Sequence, residues 1–305
     1  MLDISAIFIG TIIAATPLIF AGLGELVVQR TGVINLGVEG IMLVGAIFGF
    51  AFSAHYEASV ATSLIIGGIA GIMMSLIFAF LTLSLSTNQS ACGLAITIFG
   101  IGLSAFIGQY FIGNSLPGLN NFPIPFLSEL PFIGNIIFNQ NYVVYISIIS
   151  FLLIWFVLEK TRLGLLLKAI GESPENAHAM GYNVLKVRYC AVLFGGFMAG
   201  IGGAFLSLVY TPIWIENMVA GRGWIAIALV IFAAWKPTKL ILGAYLFGGV
   251  TVLQFHGQAL GIELPNEFLA SLPYLATIFV LVFISRNKKL MKMSYPASLG
   301  RNFIP

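Results

Sequence analysis

Charge is scarce in this chain. Only 8% of its 305 residues are Asp, Glu, Lys or Arg, whereas 59% are hydrophobic. A soluble domain carries roughly a quarter charged residues, so a solvated outer surface cannot be built from this composition. That excludes a soluble enzyme, a disordered chain and a nucleic-acid binder, and leaves a polytopic membrane protein. Cysteine is scarcer still, with two in the chain. Cys92 and Cys190 have no CxxC spacing, so neither a disulfide framework nor a structural zinc site is indicated. The histidines, His55, His178 and His256, are too scattered for a metal site or proton relay. A phosphate loop of the GxxxxGK[ST] kind is missing, so any ATPase must be a separate subunit. No Ser/His, Asp/Asp or metal constellation is assembled, so an intramembrane enzyme is not indicated. The N-terminus lacks a basic n-region ahead of its apolar run, and the first segment is expected to stay in the membrane.

What is abundant is apolar sequence in blocks of about 20 residues, the length of a spanning helix. Nine all-α spans are expected, at 4–28, 34–54, 60–85, 90–113, 141–158, 189–210, 213–235, 240–260 and 268–285. The third and fourth are the clearest, because Ala58 to Ser128 contains no charge. The seventh is the weakest. Trp224 to Trp235 covers only about 18 Å as a helix, short of the roughly 30 Å hydrocarbon core. It must either begin near Ile213 or be broken at Gly221-Arg222-Gly223. With the N-terminus outside and the C-terminus inside, every lysine and arginine except Arg222 falls on the inner side, as the positive-inside rule asks. The chain therefore reads as one transmembrane domain over 1–305. It carries a proline-rich extracytoplasmic loop at 114–140, a structured cytoplasmic loop at 159–188 and a cytoplasmic tail at 286–305.

The inner loop carries two helical patterns. Leu163, Leu166, Leu167 and Ile170 form an apolar stripe, which predicts an amphipathic helix on the inner surface. Gly171 and Glu172 are expected to break it. Ser173 then suits an N-cap, Pro174 a first helical residue, Glu175 the positive helix end and Gly181 a stop. The predicted helix, Pro174 to Met180, is too short to stand alone in water. It must pack either on the chain's own inner surface or against a cytoplasmic partner that grips Ala177 and Met180.

Polar residues stranded in apolar surroundings mark the candidate path. In Arg30-Thr-Gly-Val-Ile-Asn-Leu-Gly-Val-Glu-Gly40, Asn35, Gly37 and Glu39 could line an unwound stretch, which is tolerated at membrane depth only inside protein or along a watery cavity. Close packing through Gly32, Gly37 and Gly40 is the plainer alternative. An ion pair with Arg30 is the plainer fate of Glu39, and contact with solute the sharper one. Arg222 and Trp224 are the outer counterparts. Arg222 either snorkels and pairs with Glu216 or donates to solute in the path. Asn88 and Gln89, at the start of the fourth span, are expected to cap it, with a path role as the rival.

Three stretches taken together resemble a known family. They are Gly24-Glu25 through Gly40 to Ala46, Lys160-Thr-Arg-Leu-Gly164 through Ala177 to Gly181, and Ala220-Gly-Arg-Gly-Trp-Ile-Ala226 through Trp235-Lys-Pro237 to Gly249. They are similar to permease subunits of ATP-binding-cassette importers of the branched-chain amino acid and simple-sugar superfamily, and most of all to nucleoside (guanosine-type) permeases. One departure is Gln29, where an acidic residue beside Arg30 would be expected. The resemblance implies a multi-pass protein of a bacterial cytoplasmic membrane with no cofactor of its own, driven by ATP that partner subunits consume. It implies three partners: a second, homologous permease, a cytoplasmic ATPase and an extracytoplasmic substrate-binding lipoprotein. The 173–181 helix becomes the coupling helix seated in the ATPase, and the breaks at Asn35 and Arg222 become path-lining. Simple sugars or branched-chain amino acids are the alternative solutes, and an ion-coupled secondary transporter is the alternative of another class.

Overall fold

A computed structural model describes residues 4–130, 133–259 and 295–304, with isolated positions between 268 and 282. The described chain is mainly helical. The helices are α1 (Ile4–Arg30), α2 (Val38–Tyr56), α3 (Val60–Ala79), α4 (Gln89–Gly108), α5 (Ile133–Ile137), α6 (Tyr142–Lys160), α7 (Arg162–Glu172), α8 (Pro174–Ala179), α9 (Val184–Phe205), α10 (Arg222–Phe232) and α11 (Pro237–Ala259). α3 and α9 each run on into a π-helical turn, at Phe80–Ser84 and Leu206–Tyr210. Among the described residues seven helices are long and apolar enough to cross a membrane: α1, α2, α3, α4, α6, α9 and α11. They match seven of the nine expected spans. The expected span at 268–285 lies outside the continuously described residues, as do residues 286–294 and 305 of the 286–305 tail.

Local chemistry accounts for where the helices start. The side chains of Ser59, Asn88, Asn141, Thr161, Ser173 and Asn183 each accept from a backbone amide in the first turn of the next helix. Each thereby satisfies one of the donors a helix start leaves open. Asn88 is thus a cap, as its position in the sequence suggested. Capping by Asn183 also starts α9 at Val184, five residues before the expected span. The inner loop is correspondingly shorter than 159–188, and Arg188 sits inside a helix.

The core is organised around α9, which packs against α1, α2 and α3. Its glycines make this possible. Gly195 meets Val28 and Gly24 of α1, Gly200 meets Gly67 and Gly68 of α3, and Gly203 lies against the Met42 carbonyl of α2. A Cβ on Gly203 would overlap that backbone. Helices in lipid associate through such close contacts, because burying apolar side chains gains little there. Gly40 joins the scheme, since a Cβ on it would stand 2.6 Å from both the Ile96 carbonyl oxygen and the Thr97 Cα. The packing reading therefore holds for Gly37 and Gly40. Gly32 differs: its φ of +87° is left-handed, and it serves a turn.

At one end of the bundle lie Arg30, Lys160, α7, α8 and the starts of α9 and α11. Every described lysine and arginine except Arg222 is found there. At the opposite end lies the 114–140 loop, with a two-residue antiparallel pairing of Phe122–Pro123 against Asn139–Gln140. This loop does more than connect. Ser115 bridges to Ile213, and the Leu116 amide donates to the Pro212 carbonyl at 2.8 Å. It is pinned to the segment that leads into α10.

Candidate functional site

The site consists of two interruptions in the helical bundle that meet in its middle. The first is the link 31–37 between α1 and α2. Its backbone groups are met by side chains of neighbouring helices, as polar backbone away from water requires. The Ile34 amide donates to Gln89 Oε1 at 2.9 Å, the Asn35 amide to Glu25 Oε1 at 3.3 Å, and Thr97 Oγ1 donates to the Leu36 carbonyl at 3.0 Å. Asn35 Oδ1 accepts from the Gly37 amide at 2.8 Å, an Asx turn that aims the chain into α2. Gln89 opens α4 and Thr97 lies eight residues on, so the link climbs about 12 Å into the bundle.

The second interruption is the segment 211–221 between α9 and α10. α10 spans 11 residues, about 16 Å, and its N-cap Gly221 has a left-handed φ of +82°. The expected span 213–235 is therefore a half-length helix broken at Gly221, with irregular chain covering the remaining depth. Glu39 joins the two breaks. Its Oε1 accepts from the Gly221 amide and its Oε2 from the Gly223 amide, both at 2.7 Å. A carboxylate on unpaired amides at a positive helix end is a favourable arrangement. Gly223 is required for this approach, because a Cβ there would stand 2.5 Å from the Glu39 Cα. The expected Glu39–Arg30 ion pair is not what forms. Arg30 Nη2 instead donates to the Trp235 carbonyl at 2.5 Å, and Glu39 lies a helix length away as the cap of α10.

The lower end of α10 is fixed by the same kind of bonding. Trp235 Nε1 donates to Gln29 Oε1 at 2.8 Å, and Gln29 Nε2 donates to Glu25 Oε1 at 2.9 Å. An amide at position 29 can accept from the indole while donating to the carboxyl, which a carboxylate could not do. That accounts for Gln29 where an acidic residue was expected. Glu25, Gln29, Asn35 and Glu39 are all buried.

Of the expected path residues, Asn35, Gly37, Glu39 and Gln89 are thus buried in bonds that shape the breaks. Asn88 is an exposed cap, and Arg222 and Trp224 are half-buried at the start of α10. Arg222 does not pair with Glu216. Its Nη1 donates to the carbonyls of Met218 at 3.2 Å and Val219 at 3.1 Å, and its guanidinium lies 5.4 Å from the centre of the Tyr210 ring. The Arg222→Lys variant keeps the charge but loses the planar stack and the fork. It should lower the melting temperature by about 2–4 °C and slow uptake. Unchanged melting and uptake in that variant would mean that only the charge matters.

At the inner end, α7 continues through Gly171 and Glu172, and the break comes at Ser173. Gly171 could not carry a side chain, because it lies against the Arg30 carbonyl. The stripe on α7 is buried at Ile170 and part-buried at Leu166 and Leu167, while Leu163 faces outward. Ser173 caps α8, accepting from the Asn176 amide at 3.4 Å, and Gly181 stops the turn with a φ of +89°. Pro174 is buried and Glu175 exposed. Of the two fates open to Ala177, packing on the chain's own inner surface is the one it takes: it is buried in a small cluster with Ile170, Val184 and Phe303. Met180 is 77% exposed. A surface hollow of about 460 Å³ lies between α7 and α8, bordered by Arg162, Leu165, Ser173, Asn176 and Met180.

Sequence reasoning gave no site role to Glu25, Trp235, Arg188, Ser298, Asn302 or Phe303. For Glu25 and Gln29 a signal existed: two polar groups one turn apart in an apolar helix, just before a glycine-broken stretch. For the others the partners are far away in sequence and nothing local marks them.

Comparison with known proteins agrees with this architecture. The family profile described as the permease component of branched-chain amino acid transport systems matches residues 7–284. A Haloferax volcanii protein named as a glucose ABC transporter permease, TsgC13, is 38% identical, with 96% of this chain and 95% of that protein covered. The nucleoside ABC transporter permease NupC of Lactococcus lactis is 33% identical over 96% and 95% of the two chains. The guanosine ABC transporter permease NupQ of Bacillus subtilis is 32% identical over 93% of each. Among solved structures, an inward-facing metal-chelate-type ABC transporter aligns with a TM-score of 0.52 at 14% identity, covering 91% of this chain and 85% of that one. That likeness concerns the fold alone.

Proposed function

The chain belongs to the permease-component family of branched-chain amino acid transport systems, and from that premise we propose that it is the membrane path through which an ABC importer moves nucleosides inward. The observation that carries the reading is the α7–α8 elbow. It presents Met180 and a hollow at the basic end of the bundle, while its Gly171 rests on the last carbonyl of α1, where the 31–37 link begins. In this reading the elbow seats a cytoplasmic ATPase, and α8 is the coupling helix. The N-terminus and the 114–140 loop face outward, where a substrate-binding lipoprotein docks. The tail faces inward.

A second, homologous permease completes the path, facing the side on which Arg222 and Trp224 are half-exposed. The chain makes and breaks no covalent bond and holds no cofactor, and ATP is consumed by the partners. Relatives named for nucleosides support the substrate class. The relative named for glucose supports simple sugars as the second reading.

Vesicles containing the two permeases, the ATPase and the binding protein should accumulate labelled guanosine when ATP is supplied, and excess glucose should not compete. Glucose uptake without guanosine uptake would replace the substrate class. Full-rate uptake without the ATPase, driven by an ion gradient, would replace the importer reading with a secondary transporter.

A further inference from the structure

The family match ends at residue 284, yet the segment 295–304 is woven into the inner end of the bundle. The Ser298 amide and hydroxyl both donate to the Gly171 carbonyl at the end of α7, at 2.9 and 2.8 Å. The Gly300 amide donates to the Gly32 carbonyl at 3.0 Å, inside the α1–α2 link. Asn302 Nδ2 donates to the carbonyls of Ser86 and Thr87 ahead of α4, while Asn302 Oδ1 accepts from Gln89 Nε2 at 3.2 Å. Gln89 is the residue whose Oε1 holds the Ile34 amide. Phe303 is buried beneath α8 with Ala177, Ile170 and Val184, its ring centre 5.7 Å from that of His178. Arg188, fully buried in α9, clamps the assembly. Its Nε donates to the Thr31 carbonyl at 3.0 Å, Nη1 to the Arg301 carbonyl at 3.3 Å and Nη2 to Ser298 Oγ at 3.2 Å.

Phe303 under α8 and Gly300 on the link are three residues apart, so at most about 10 Å of extended chain separates them. There is little slack. A rigid displacement of α8 must either pull Phe303 along or open a cavity beneath itself, and dense packing disfavours the cavity. We propose that residues 298–303 are a tie that transmits movement of α8 to the 31–37 link, which makes the C-terminal tail the mechanical connection between the ATPase-facing helix and the break in the path. This rests on the reading of α8 as the ATPase seat.

The test uses the full transporter in vesicles and measures solute moved per ATP hydrolysed. Phe303→Ala and Asn302→Ala should leave ATPase assembly and hydrolysis near wild type while solute per ATP falls by about 5–100-fold, the range of an ordinary coupling between sites. Phe303→Leu should restore the ratio. If the alanine variants do not accumulate, insertion of two glycines between Asn302 and Phe303 decides. That variant keeps both anchors and slackens only the chain between them, and it should uncouple in the same way. A wild-type ratio in the insertion variant overturns the tie, as does a parallel fall of uptake and hydrolysis, which marks a merely structural segment. Met180→Asp serves as the reference. If it loses ATPase binding while the tail variants keep the wild-type ratio, the seat stands and the tie falls. If Met180→Asp changes nothing, the seat reading fails and takes the tie with it.

Discussion

Glu39→Ala is expected to destabilise this protein strongly. The carboxylate satisfies two amides, that of Gly221, part-buried, and that of Gly223, buried, at 2.7 Å each. Removing it leaves both without partners at the start of α10, and each orphaned group costs about 1–3 kcal/mol. The total of about 2–6 kcal/mol is a large share of a folded domain's margin of about 5–15 kcal/mol. It should appear as a fall of roughly 3–10 °C in the melting temperature of the purified protein. Glu39→Gln keeps one carbonyl acceptor but turns an NH2 group toward the second amide, so its loss should be intermediate. The alternative role, a direct contact with solute, predicts the opposite pattern: lost uptake in a protein that melts like wild type. Wild-type melting of Glu39→Ala would therefore end the capping account.

That Glu39 binds a helix end rather than Arg30 shows where reading a sequence reaches its limit. Caps, stops and spans were legible because their causes are local. Asn88, Ser173 and Gly181 act within four residues of themselves. The weakness of 213–235 as a span was a matter of length, which left either a start near Ile213 or a break at Gly221-Arg222-Gly223, and the break is the one that forms. Glu39 was legible as a buried carboxylate needing a partner, and Arg30 was the cation nearest in sequence. Its true partners are 182 and 184 residues away, and they are backbone amides, which carry no mark in a sequence. The same holds for Trp235 and Gln29, joined across 206 residues, and for Arg188 and Ser298, joined across 110. The amphipathic stripe on α7 was only partly right for a related reason. An end of the bundle offers less than a full face of protein, so Leu163 remains outside while Ile170 is enclosed.

The elbow provides the other large effect, because Ala177 in α8 and Met180 at its C-terminal cap should respond to the same change in opposite ways. Ala177→Asp places a carboxylate within the Ile170, Val184 and Phe303 cluster. Burial of a charge there has no partner to offset it, so the group is either neutralised or the cluster opens, at a cost of several kcal/mol. This variant should accumulate poorly or melt well below wild type. Met180→Asp alters a side chain that is 77% exposed. Changes at such positions usually shift stability by no more than about 0.5 kcal/mol, so its melting should not move. Its effect should fall on the partner instead. An exposed apolar anchor beside a hollow is the kind of residue whose loss weakens an interface by about 2 kcal/mol or more, roughly 30-fold in affinity. Titration of the ATPase onto the purified permease, followed by uptake in vesicles, reads this directly. Wild-type ATPase affinity in Met180→Asp would show that the partner sits elsewhere on the inner surface. Because Ala177→Asp acts by opening the fold, its failure to transport could not by itself locate the partner, and the exposed position is the one that carries the decision.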